Sequence, residues 1–174
     1  MIKGPVFLRK ISFMGALFFV STALSAQGIS LDELPGLRER AVVMHIVSRI
    51  VEQNQQVIWN AENVEVTLPG RPVGIKLVSS YLIVAVQFTP FLQPSGQHIL
   101  VAQGQIWIHV PNEGVSYQTT IQTIPLGFRE QVYFFPLGSM RAQDGAGIEI
   151  QLELFPYEQA PFLSSARDEK DTPP

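Results

Sequence analysis

Between Ala41 and Tyr157, apolar residues fall into short runs rich in valine, isoleucine and aromatics, broken by turn chemistry about every ten residues. That pattern predicts strands, and many short strands in succession predict a sandwich or a barrel. The last run is the plainest: Ile148, Ile150, Leu152 and Leu154 alternate with Glu149, Gln151 and Glu153, so one side of that strand is apolar and the other polar. Tyr81 to Phe88 (YLIVAVQF) is apolar on both parities, which predicts a central strand covered on both faces.

The run Ala41 to Glu52 (AVVMHIVSRIVE) admits two readings. On a helical wheel, Val42, Val43, Ile46, Val47, Ile50 and Val51 share an arc opposite His45, Arg49 and Glu52. Against a helix stand the density of β-branched residues and the polar break Gln53-Asn54-Gln55-Gln56, which leads into the strand-like Val57-Ile58-Trp59. A hairpin is the better reading.

The punctuation between runs is specific. Pro69-Gly70 suits the central positions of a type II turn, and Gln93-Pro94-Ser95-Gly96 and Pro111-Asn112-Glu113-Gly114 suit loop tips. Asp144-Gly145-Ala146-Gly147 supplies positive-φ positions before the final strand.

Taking Pro111 to Gly114 as a four-residue loop sets a register between the strands 97–110 and 115–124. Val110 then opposes Val115, Ile108 opposes Tyr117, Ile106 opposes Thr119 and Gly104 opposes Ile121, a mostly apolar side suited to the core. The reverse side sets His109 against Ser116, Trp107 against Gln118, Gln105 against Thr120 and Gln103 against Gln122. A sheet face of amides and hydroxyls around one indole suits a ligand rich in hydroxyls, with carbohydrate as the natural candidate. Its low charge also suits a protein partner, and the plainer alternative is that Trp107 packs under a loop while the rest is an ordinary wet face.

The two ends differ from this core. Residues 1–26 carry Lys3, Arg9 and Lys10, then the apolar run Ile11 to Val20, then Ser21-Thr22-Ala23-Leu24-Ser25-Ala26, the three parts of a secretory signal in order. Cleavage after Ser25 or Ala26 is expected, because the apolar run is about half the roughly 20 residues that a membrane-spanning helix needs. Residues 27–40 read as a linker. Within it Ser30-Leu31-Asp32-Glu33 has the form of a capping box, and Pro35-Gly36 limits any helix to about one turn. The expected domain runs over 41–158, and 159–174 is polar enough to expect a disordered tail.

Charge narrows the function classes. Without the three cations of the signal, nine Lys and Arg face 15 Asp and Glu, a net charge of −6 for the mature chain. Such a balance provides no basic stripe, which argues against nucleic acid and anionic membrane surfaces as partners. The chain has no cysteine, so neither a disulfide nor a thiolate metal site nor a thiol nucleophile is available. His98 and His109 lie on one expected strand at an odd spacing, which puts them on opposite faces, and His45 has no carboxylate at ligand-like spacing in sequence. No nucleophile elbow and no phosphate-binding glycine loop is present. Two carboxylates from distant strands could still form a glycosidase pair, but Glu149 and Glu153 fall on a wet face, and Glu62, Glu113, Glu130 and Asp144 fall in expected loops.

Five strings, Val57-Ile58-Trp59-Asn60, Leu68-Pro69-Gly70-Arg71-Pro72-Val73, Val86-Gln87-Phe88-Thr89-Pro90, Leu100-Val101-Ala102-Gln103-Gly104-Gln105-Ile106-Trp107 and Tyr133-Phe134-Phe135-Pro136-Leu137-Gly138, resemble an uncharacterised group of exported spirochaete proteins. The resemblance spans about residues 40 to 157 and implies a bacterial envelope location, with no activity, ligand or site residue attached. The expectation is therefore an all-β, antiparallel β-sandwich, with the immunoglobulin arrangement as one form it could take. It would be exported to the periplasm or cell surface and act as a non-catalytic binding or structural module, without cofactor. The partner would be an envelope protein or a glycan, met on Gln103, Gln105, Trp107, His109, Ser116, Gln118, Thr120 and Gln122. A carbohydrate-binding module is the second reading and a sandwich hydrolase a distant third.

Overall fold

The computed structural model describes residues 18–19, 35–52, 55–110, 114–138 and 147–161. Within them the protein is an all-β antiparallel sandwich. A one-turn helix, α1 (Pro35–Arg38), precedes eight strands: β2 (Val42–Val51), β3 (Val57–Thr67), β4 (Val73–Val78), β5 (Leu82–Leu92), β6 (His98–Val110), β7 (Gly114–Leu126), β8 (Gln131–Phe134) and β9 (Gly147–Pro156). A two-residue strand, β1 (Phe18–Phe19), lies inside the segment expected to be a signal peptide and pairs with Leu77 and Val78. The rest of that segment, the Ser30 to Glu33 capping box, the tip of the 111–113 loop and the Asp144 to Ala146 turn lie outside the described residues.

Sheet A has the order β1-β4-β5-β6-β7 and sheet B the order β3-β2-β9-β8. Four consecutive strands, β4 to β7, form a meander in sheet A. The immunoglobulin arrangement divides its strands ABED against CFG and never keeps four in succession in one sheet, so that expectation is corrected. Ala41 to Glu52 forms a strand, not a helix, and β2 and β3 pair as a hairpin from Val42 opposite Thr67 to Ile50 opposite Trp59. β-Branched side chains at Val42, Val43, Ile46, Val47, Ile50 and Val51 favour the pleated surface, which serves both parities here.

One parity of each strand from β2 to β9 faces the space between the sheets. Sheet A contributes Val73, Ile75, Leu77, Val84, Val86, Phe88, Leu100, Ala102 and Ile106, and sheet B contributes Val42, Met44, Ile46, Ile148, Ile150, Leu152, Leu154 and Phe134, all buried in one cluster. Phe134 sits at its centre. Its ring meets Phe88 edge-to-face, with centroids 5.8 Å apart and planes at 86°. It also lies over Gly104, where an added Cβ would stand 3.4 Å from the ring. The bare backbone at Gly104 leaves room for Phe134 and Pro136 to pack closely over β6.

Two turns adopt the conformations their residues call for. Gly70 has φ of 85° and Arg71 N–H donates to Leu68 C=O at 2.9 Å, closing the turn through Pro69-Gly70. Gly96, also at φ of 85°, donates to Gln93 C=O at 2.9 Å.

Two further expectations need correction. β5 is central in its sheet but covered on one side only: Val84, Val86 and Phe88 are buried, while Ile83 and Ala85 are half-exposed and Gln87 is exposed. The tail expected from residue 159 does not hold at its start, because a 3-10 turn at Tyr157–Gln159 carries Ala160 back to a small cluster with Val43 and Phe155, where it is 7% exposed, and residues 162–174 lie outside the described residues. Tyr157 N–H donates to Ala41 C=O at 3.2 Å, and Arg38 pairs with Glu158 at 3.5 Å, so this turn is held beside α1.

Phe134→Ala would leave a cavity where the two sheets meet and is expected to destabilise the fold by about 3–5 kcal/mol. The neighbouring Tyr133→Ala, at an exposed position, is expected to change stability by less than about 1 kcal/mol. Urea unfolding of both variants checks this. Equal losses would mean that Phe134 is not the centre of the core.

Candidate functional site

The outward face of sheet A is built from the parity that the core does not take. The ladder sets Ile83 beside Trp107 and Trp107 beside Tyr117, then Ala85 beside Gln105 and Gln105 beside Thr119, then Gln87 beside Gln103 and Gln103 beside Ile121. Lys76 pairs with Ala85 from the β4 side. Gln103, Gln105, Trp107 and His109 therefore share this face, as their spacing predicts.

The β7 half of the predicted site is different. Val110 pairs with Gly114, His109 with Val115 and Trp107 with Tyr117, one residue away from the expected register. The cause is Gly114, which holds φ of 94° and is already the first ladder residue of β7, so the connection is the three residues 111–113 and not four. A slip of one residue exchanges the two faces of a strand. Ser116, Gln118, Thr120 and Gln122 accordingly point to the side that faces sheet B, opposite Trp107. Thr120 Oγ1 donates to Pro136 C=O at 2.8 Å there, tying the edge of sheet A to the chain that follows β8.

In their place Val115, Tyr117, Thr119 and Ile121 flank the β6 residues. Val115, Tyr117 and Ile121 are 64%, 55% and 68% exposed. The rings of Trp107 and Tyr117 lie 5.3 Å apart and tilted by 41°, and Trp107 is half-buried and open, not sealed under other chain. His109 N–H donates to Tyr81 C=O at 2.8 Å, which carries the β5–β6 pairing on into the β4–β5 turn. The result is a shallow depression of about 650 Å³ with Trp107 and Ile83 in its lining, bordered by Lys76, Ser80, Tyr81 and His109.

Charge separates the two outer faces. On sheet A the outward positions of β4 to β7 include Lys76 and no carboxylate among the described residues. On sheet B the outward positions hold Glu62, Glu149 and Glu153, with His45 Nε2 2.7 Å from Glu62 and Arg49 donating to Glu149 at 3.0 Å. The sequence reading found no carboxylate near His45, but strand pairing supplies one from 17 positions along the chain. No group of three His, Asp or Glu with metal-binding geometry occurs among the described residues.

His98 and His109 do occupy opposite faces of β6. His98 is buried, with its ring 4.4 Å from that of Phe128, and burial holds its pKa below the ordinary value of 6.5. No protein-family model, described protein or solved structure matches the chain significantly.

Because His98 is held neutral in the fold, its contribution to stability is complete above its unfolded pKa. Below about pH 6.5 the unfolded chain takes up the proton more readily, and stability falls until the folded pKa is passed. Urea unfolding over that range should show the wild type losing stability faster than His98→Leu as pH drops. Parallel curves would contradict this reading of His98.

Proposed function

We propose that this chain is an exported, non-catalytic binding module of the bacterial cell envelope and that it engages its partner with the outward face of sheet A. The observation that carries the reading is an apolar and aromatic cluster at one end of the face. Exposed Tyr81 and Val115 line one depression there with half-buried Trp107, the Trp107 ring meets that of exposed Tyr117, and Ile121 is also exposed farther along the same face. Contiguous patches of this kind on a soluble protein serve recognition, whereas single exposed apolar residues carry no such meaning. Aromatic anchors in a field of uncharged amides, here Gln87, Gln103 and Gln105, are also the composition of protein-binding surfaces. Export rests on the order of Lys3, Arg9 and Lys10, the apolar run and the small residues up to Ala26.

The change of register bears on the kind of partner. Ser116, Gln118 and Gln122 would have made the face hydrophilic, whereas Val115, Tyr117 and Ile121 make it more apolar and favour a protein. A glycan is the second reading, supported by the depression at Trp107, where an indole lies among Lys76, Ser80, Tyr81 and His109, groups able to hydrogen-bond hydroxyls.

Cross-linking in intact cells followed by mass spectrometry, on wild type and Trp107→Ala, tests the proposal. An envelope protein captured by the wild type and lost with Trp107→Ala is expected, with affinity weakened roughly 30-fold if Trp107 is a hot spot. Identical captures by both proteins, or none by either, would remove the proposed face. Saturable binding of a cell-wall glycan, abolished by Trp107→Ala, would instead establish the second reading.

A further inference from the structure

A sheet edge is a row of unpaired N–H and C=O groups, and proteins guard such edges with charges, prolines, bulges, shortness or a covering segment. Three of the four edges here are guarded. β3 carries Glu62 and Glu65 and pairs through an irregular register near Ile50 and Val51. β4 is six residues long and carries Lys76. β8 is four residues long.

Among the described residues the fourth edge, β7, has none of these devices over most of its length, the chain after β8 meeting it at Gln118 and Thr120 on the side that faces sheet B. It spans 13 residues, GVSYQTTIQTIPL, without a single charge, and its only proline is Pro125, next to its end. Among the described residues its ladder runs to β6 alone. Side chains from Val115 to Thr123 are exposed on both faces, apart from the half-buried Thr120.

From this we infer that two copies of the chain pair through β7, antiparallel and about a two-fold axis, joining their A sheets into one continuous sheet. A second copy is favoured over an unrelated strand because the β7 sequence complements itself. An axis normal to the sheet keeps each face on its own side, so paired residues must share parity. Centred at Thr119, the axis sets Tyr117 opposite Ile121 and Val115 opposite Thr123 on the outward face. On the other face it sets Gln118 opposite Thr120 and Ser116 opposite Gln122, amide against hydroxyl. No charge meets a like charge anywhere along the strand, whereas β3 in the same arrangement would bring glutamates together.

The paired span would be Gly114 to Ile124, which leaves Pro125, with no N–H to give, just outside it. Pairing over that length yields about ten backbone hydrogen bonds, the number found in a protein interface of ordinary size. The two Trp107–Tyr117 pairs would then lie on one surface, so the dimer would present its binding face twice.

Sedimentation of the purified chain, with two variants and one covalent probe, tests this. The wild type is expected to sediment as a dimer. Thr119→Lys, at an exposed position, is expected to sediment as a monomer with an unchanged circular dichroism spectrum, and Trp107→Ala is expected to stay dimeric. Because the chain has no cysteine of its own, Thr119→Cys supplies a unique thiol at the axis. It is expected to oxidise to a covalent dimer, since directly opposed strand positions come within disulfide reach, and Tyr133→Cys on sheet B is expected not to. A wild type that stays monomeric, or a dimer that survives Thr119→Lys, would overturn the proposal. So would a dimer lost with Trp107→Ala, and so would failure of Thr119→Cys to cross-link.

Discussion

A strand side chain has two directions available, and the shared core claims one of them from every strand of both sheets. Once Val84, Val86 and Phe88 point inward on β5, the ladder requires Ala102, Gly104 and Ile106 to do so on β6, and Phe134 reaches across from sheet B to rest on the bare backbone of Gly104. Everything outward follows from that. Trp107 faces solvent because Ile106 does not, and Tyr117 joins Trp107 because the ladder puts it there. The outward face of sheet A is thus the complement of the core.

This dependence explains which features were legible in the sequence. β9 could be read in full, because its alternation of Ile and Leu with Glu and Gln records a strand with one wet side, and the Pro69-Gly70 and Gln93-to-Gly96 turns record positive-φ positions that only certain residues fill cheaply. Parity within β6 was equally readable, so Gln103, Gln105, Trp107 and His109 share the outward side of the strand. Parity between β6 and β7 was not, because it hangs on whether Gly114 belongs to the loop or to the ladder. β7's own pattern favoured the wrong count, because its more apolar parity, Val115, Tyr117 and Ile121, is the one that faces outward. The contact of His45 with Glu62 was hidden for another reason: residues 17 positions apart meet only after the β2–β3 hairpin forms. Ala160 was hidden as well, since a lone alanine in a polar stretch carries no periodicity.

The same alternation divides charge. Sheet B keeps Glu62, Glu149 and Glu153 on its outer side, two of them tied to His45 and Arg49, and sheet A keeps amides, hydroxyls and aromatics. A chain with an excess of acids thus leaves one broad face nearly free of charge. That face and the uncharged edge of β7 adjoin, so partner recognition would use side chains of the face and self-pairing the backbone of the edge, with Val115, Tyr117 and Ile121 belonging to both surfaces.

Backbone contacts across β6 and β7, read by nuclear magnetic resonance in solution, test the central claim most directly. The account requires Gln105 opposite Thr119 and Trp107 opposite Tyr117. Contacts pairing Trp107 with Gln118 and Gln105 with Thr120 would contradict it, because Tyr117 and Ile121 would then turn inward and the exposed aromatic face would not exist.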